Sequence, residues 1–150
     1  MQCNRIMSTS ELKEHINSVY SKLESITKMD GVYKQLDDLF GHVAQRGLDG
    51  YYCYSDNEGY HYDILERGIL RKSVLTQNLD EITYLVLSSD IFWMACVYEC
   101  KHRIEGQDFR HLLFHKEMQY WRVLGREYAV MAEQKILEIL IEVPFSDELG

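Results

Sequence analysis

A single proline in 150 residues, no repeat and no low-complexity tract exclude a long disordered or linker-like segment. Four cysteines, Cys3, Cys53, Cys96 and Cys100, have no regular spacing, so they read as reduced thiols and not as a disulfide framework. Met1 to Met7 has no apolar run of signal-peptide length, so the chain is expected to stay in the cytoplasm. Missing too are a GxSxG elbow, an HExxH pair, a phosphate-binding P-loop and a dinucleotide glycine turn. Those absences remove the nucleophilic, metalloprotease and nucleotide chemistries that short motifs would reveal, and nothing calls for a cofactor. Positive charge is also short: 16 Lys and Arg against 24 Asp and Glu give a net charge of -8. Such a balance disfavours a nucleic-acid backbone or an anionic membrane as partner.

The chain's organising stretch runs from Leu79 to Phe114. Asn78-Leu79-Asp80-Glu81 has the form of a capping box, in which an Asn side chain takes an orphan amide and a Glu three residues later reaches back. From Ile82 to Cys100 the following helix is apolar almost all round, including Phe92 and Trp93, which predicts a helix enclosed on most sides. Nineteen such residues could nearly span a bilayer, but Ser88-Ser89-Asp90 at the midpoint and Glu99 near the end place carboxylates where lipid would penalise them. A buried helix of a soluble core is therefore expected. With 150 residues available, a single domain over 1–150 can bury about two thirds of its unfolded surface.

Before that helix, Ser8 and Glu11 can cap a first helix over about 9–28 carrying Leu12, Ile16, Val19, Tyr20, Leu23 and Ile26, which Asp30-Gly31 should end. Val32, Leu36, Leu39, Phe40 and Val43 predict a second helix, closing near Arg46-Gly47. From Gly50 the period becomes two: Tyr51 to Tyr54, Tyr60 to Leu65 and Ile69 to Leu75 form a three-stranded antiparallel meander. Tyr60, Tyr62 and Ile64 share one face and His61, Asp63 and Leu65 the other, so one side should pack on the central helix and one should face water. After a corner at Gly106 and Asp108, two helices meet at Gly125 and end at Pro144, ahead of the acidic Ser146-Asp147-Glu148. The class is α+β: a meander packed on a central buried helix, with two N-terminal and two C-terminal helices.

Two places concentrate polar residues. At the corner, Glu99 and Arg103 are spaced for an ion pair, and Arg110 can reach Asp108 or Glu105. Glu99, His102, Arg103, Asp108 and Arg110 read as a structural cluster that sets the angle between helices. The rival reading is a small enzyme or metal-binding protein using this cluster. Against metal, Glu99 and His102 lack a second Glu-x-x-His, and Cys96 and Cys100 lack a second thiol pair. A third reading is an interaction module that dimerises through its last helix. The second place is the meander, where no Lys or Arg stands between Gly47 and Glu66 while tyrosines and acids gather. Rigid amphipathic rings in an acidic surround suit a contact with a basic protein. Tyr52, Tyr54, Asp56, Glu58, His61 and Asp63 are the candidate contacts.

Gly59-Tyr60-His61-Tyr62, Glu66-Arg67-Gly68, Leu79-Asp80-Glu81 and Tyr98-Glu99-x-Lys101-His102-Arg103-x-x-Gly106-x-Asp108-x-Arg110 together resemble the immunity protein 63 family of bacterial polymorphic toxin systems. The likeness runs over about 32–145, which leaves the N-terminal helix as an addition. It implies a small cytosolic α+β protein, encoded beside a toxin, that binds the toxin's C-terminal domain and keeps it inactive. Catalysis is not implied, and the resemblance specifies neither binding residues nor oligomeric state.

Overall fold

The computed structural model describes residues 5–42 and 48–147. Helices α1 (Thr9–Ser21) and α2 (Glu24–Met29) precede strands β1 (Gly50–Asp56), β2 (Gly59–Glu66) and β3 (Ile69–Thr76); helices α3 (Leu79–Lys101), α4 (Phe109–Leu124) and α5 (Arg126–Glu142) follow. Two compact units result, one of Met1–Val19 with Leu36–Val86 and one of Tyr20–Gln35 with Leu87–Gly150. Among the described residues no helix is long and apolar enough to cross a membrane.

In the first unit, the start of α1 is a reciprocal capping box. The Glu11 amide donates to Ser8 Oγ at 3.1 Å, and the Ser8 amide donates to Glu11 Oε1 at 3.2 Å. At α3 only half of the expected box forms. The Glu81 amide donates to Asn78 Oδ1 at 3.0 Å, while the Glu81 carboxylate instead accepts from Thr76 Oγ1. The sheet has the order β1-β2-β3, both pairs antiparallel, with an irregularity at Ile64/Leu65 that leaves Arg71 unpaired on β3. Its most buried members are Tyr52, Cys53, Tyr60 and Tyr62. Tyr60 also anchors the segment before α1, because its hydroxyl accepts from the Met7 amide at 2.9 Å.

The turn between β1 and β2 depends on Gly59. Its φ of +141° disfavours an L side chain, and a Cβ there would lie 2.7 Å from the Thr76 carbonyl oxygen. Gly59→Ala is expected to cost about 1–3 kcal/mol. Urea unfolding should show a lower midpoint with an unchanged slope; an unmoved midpoint would mean that the hairpin absorbs the methyl group.

Between Asp30 and Phe40 the structure corrects the expectation of a second long helix. Residues 32–39 are neither helix nor strand, and the 43–47 part of the predicted helix lies outside the described residues. The expected first helix over about 9–28 is instead two, α1 and α2, separated by a break at Lys22–Leu23, and α2 ends at Asp30-Gly31 as the sequence suggests. Two competing bonding patterns explain the loss. Asp38 turns its carboxylate back onto the Phe40 amide at 3.3 Å, and Leu39 to Gly41 run alongside β1: the Cys53 amide donates to the Leu39 carbonyl at 2.9 Å, and the Gly41 amide to the Cys53 carbonyl at 2.8 Å. Apolar spacing alone cannot reveal that the segment's backbone partners lie on another element.

The second unit assembles α2 with most of α3 and with α4 and α5. Ile91, Met94 and Ala95 of α3, Tyr120, Trp121 and Leu124 of α4, and Tyr128 and Ala132 of α5 are among its buried side chains. Phe92 and Trp93, expected inside, remain about half exposed at 49% and 46%. The acids that argued against lipid are neutralised: Asp90 meets Lys34 at 2.6 Å, and Glu99, 3% exposed, meets Arg103 at 2.7 Å.

Burial pushes the carboxyl of Glu117 on α4 up to about 7 from its ordinary 4.5. The folded chain therefore holds this proton more tightly than the unfolded chain. Its contribution is fully present below about pH 4.5 and is lost as pH rises through 7, a change of about 3 kcal/mol. Glu117→Gln should flatten this part of the stability profile and raise the melting temperature at pH 8. Parallel profiles for the two proteins between pH 4.5 and 8 would refute it.

Candidate partner-binding surface

The end of the β1–β2 hairpin forms a braced row. Tyr54 lies opposite His61 in the ladder, and the two rings stack with centroids 4.4 Å apart and planes 3° apart. His42 also meets the Tyr54 ring edge-on, with centroids 4.6 Å apart. Nε2 of His61 sits 2.9 Å from Oδ2 of Asp56; its angle falls short of an aligned hydrogen bond, so the contact is an attraction of charge once the ring is protonated. Oδ1 of Asp56 accepts the Glu58 amide at 2.8 Å and closes the turn. The His61 ring and then this amide hold the Asp56 carboxyl below the usual carboxylate range. Burial, followed by the charges of Asp63, Asp56 and Glu58, pushes the Tyr54 phenol up. The arrangement presents Asp56 and Glu58 to solvent from a stiff, aromatic-backed turn.

Of the six candidate contacts, four gather at this end: Tyr54, Asp56, Glu58 and His61. Tyr52 and Asp63 do not reach the surface, being 2% and 5% exposed. The Tyr52 hydroxyl donates to the Leu48 carbonyl. Asp63 lies between Tyr52 on β1 and Ser73 on β3, and accepts from Ser73 Oγ at 2.7 Å. Neighbouring strands, not a mistaken period, cover it. Tyr51, outside the expected set, is the strand tyrosine with the most surface, at 46%. Alternation alone could not identify it, because it shares its face with Cys53, which is buried.

Asp56, Glu58 and His61 also bring three possible ligand atoms within 4.8 Å of one another. Their chemistry suits a hard cation on the carboxylates, but two exposed acids in a tight turn reach this spacing without one, and Asp56 is already engaged.

The corner cluster has its bonds filled from within. Arg103 forks onto Glu99 through Nε at 3.0 Å and a terminal nitrogen at 2.7 Å. His102 Nδ1 lies 3.0 Å from the Tyr98 carbonyl, and its ring stacks on Tyr98 at 4.1 Å. Asp108 caps α4 by accepting the Arg110 amide at 3.0 Å. The Arg110 guanidinium and amide hold its carboxyl well below the usual range. Arg110 also donates to the carbonyls of Val143 and Pro144, the Ser146 amide donates to Asp108, and Phe145 stacks on His111 at 3.7 Å. Asp108 and Arg110 therefore clasp residues 143–146, a role that the acidic tail gave no sign of in the sequence. Every carboxylate of the expected cluster faces an arginine, an arrangement suited to fixing a bend and short of a free acid or base.

No curated protein and no solved structure matches the chain significantly. The model of the family described as Immunity protein 63 matches residues 56–138, from the acidic turn through the meander, the long helix, the clasped corner and most of the last helix. More than half of the sequence, including all of β2, β3, α3 and α4, is thereby accounted for, and the chain belongs to the immunity protein 63 family.

Proposed function

We propose that this protein neutralises a cognate toxin domain by binding it and covering its working surface, without carrying out a reaction of its own. The partner is the C-terminal domain of a polymorphic toxin encoded beside it, with a basic cleft such as a nuclease would use, and the complex forms in the cytoplasm of the producing cell. Family membership supports the class of function. The observation that carries the surface is the hairpin end, where Asp56 and Glu58 stand exposed on the Tyr54–His61 stack. Asp56, held by the Glu58 amide and His61, loses little freedom on docking, and both acids speed the encounter with a basic partner. Calorimetric titration of the full chain into the neighbouring toxin domain tests this reading. A complex tighter than micromolar is expected, and no heat of binding at micromolar concentration would sink it.

A further inference from the structure

The two edges of the sheet are treated differently. Beside β1, Leu39 to Gly41 occupy Cys53, and the Ser55 amide donates to Thr9 Oγ1 at 3.0 Å while Ser55 Oγ donates to the Met7 carbonyl at 2.6 Å. Beyond β3 nothing comparable occurs among the described residues: the strand pairs with β2 alone, and its backbone makes no hydrogen bond to another element. Ile69, Leu70, Arg71, Lys72, Ser73 and Leu75 are all exposed, three of them apolar side chains with about half their surface in solvent (Ile69 52%, Leu70 51%, Leu75 50%). An uncovered edge with apolar flanks is a template for one more strand.

We infer that β3 accepts an extended segment of the partner protein, which adds to the sheet as a fourth strand and carries carboxylates opposite Arg71 and Lys72. This rests on the immunity reading and deepens it by naming how the toxin domain is held. The charge of the edge decides the occupant. β3 contains Arg71 and Lys72 and no acid. A second copy pairing antiparallel across the strand's middle would therefore crowd four cations together, a like-charge arrangement that costs stability. The unpaired Arg71 at the irregularity further limits the straight part of the edge to Lys72–Thr76, five residues or about 17 Å. A segment alternating apolar and acidic residues, paired along Lys72–Thr76, would cover Leu75 and bring carboxylates to Lys72 and the adjoining Arg71.

Hydrogen exchange of the full chain with and without the neighbouring toxin domain, together with the titration of R71E/K72E, tests the inference. Amides of residues 69–76 should exchange at least tenfold more slowly in the complex. The double variant, with both changes on exposed side chains, should keep its melting temperature and lose at least tenfold in affinity. A complex that leaves β3 exchange unaltered, or that R71E/K72E binds as tightly as the unaltered chain, overturns strand addition and leaves the immunity reading standing. Absence of any complex overturns both. Light scattering that shows a dimer whose formation protects residues 69–76 would assign the edge to a second copy and also overturn the inference.

Discussion

Lys116→Ala is expected to lower the free energy of unfolding by about 3–5 kcal/mol, the range for removing one partner of a buried ion pair. Lys116 is 6% exposed on α4, and its Nζ lies 2.8 Å from Asp30 Oδ2 and 2.7 Å from Gln119 Oε1. The rings of Tyr98 and Tyr120 flank it, with Nζ 4.0 Å and 5.4 Å from their centroids. The Tyr120 hydroxyl donates to the same Asp30 oxygen at 2.8 Å, and burial, followed by that carboxylate, pushes its phenol far up. Without the ammonium, Asp30 would be left beside aromatic rings with the Tyr120 hydroxyl for support. For a chain of this size the loss corresponds to a melting temperature lower by roughly 10 °C. Much of the penalty is the stranded carboxylate, so Lys116→Met combined with Asp30→Asn should melt higher than Lys116→Ala. A single variant within about 1 kcal/mol of the unaltered protein would show that the pair carries little stability.

Reversing charge at the hairpin end should have the largest effect on partner binding. Asp56→Lys with Glu58→Lys is expected to weaken the toxin complex by about 100-fold or more, because like charges brought together at an interface cost several kcal/mol. Most of the unaltered protein's dependence of association rate on salt should vanish with it. Both side chains are exposed, and Asp56 gives up only the bonds that close the turn, so the melting temperature should fall by no more than a few degrees. An affinity unchanged by the double reversal would move the interface away from the hairpin.

What could be read in advance follows from how local the signals are. The meander is legible because its tyrosines, isoleucines and leucines fall in short runs separated by turns at Asp56–Gly59 and Arg67-Gly68, and the strand bounds differ from expectation by one or two residues. Both capping residues, Ser8 and Asn78, and the Asp108 cap were legible for the same reason. The 32–39 segment was not, because its spacing mimics a helix while its bonding partner is Cys53. Buried charge was invisible as well: a lysine at position 116 resembles any surface lysine until Asp30, far away in sequence, is placed beside it. Within the candidate site, residue type identified the neighbourhood, but exposure depended on cross-strand neighbours. Tyr52 and Asp63 thus resemble surface residues in the sequence although they are buried, and nothing there singles out the exposed Tyr51.

Binding without turnover is tested most directly by titrating this protein against the toxin domain's own activity. The account predicts that activity falls linearly to zero at a fixed molar ratio, independent of incubation time, and returns when the complex is separated. Complete and lasting loss of toxin activity at a small fraction of that ratio, deepening with time, would mean that the protein acts catalytically and would contradict it.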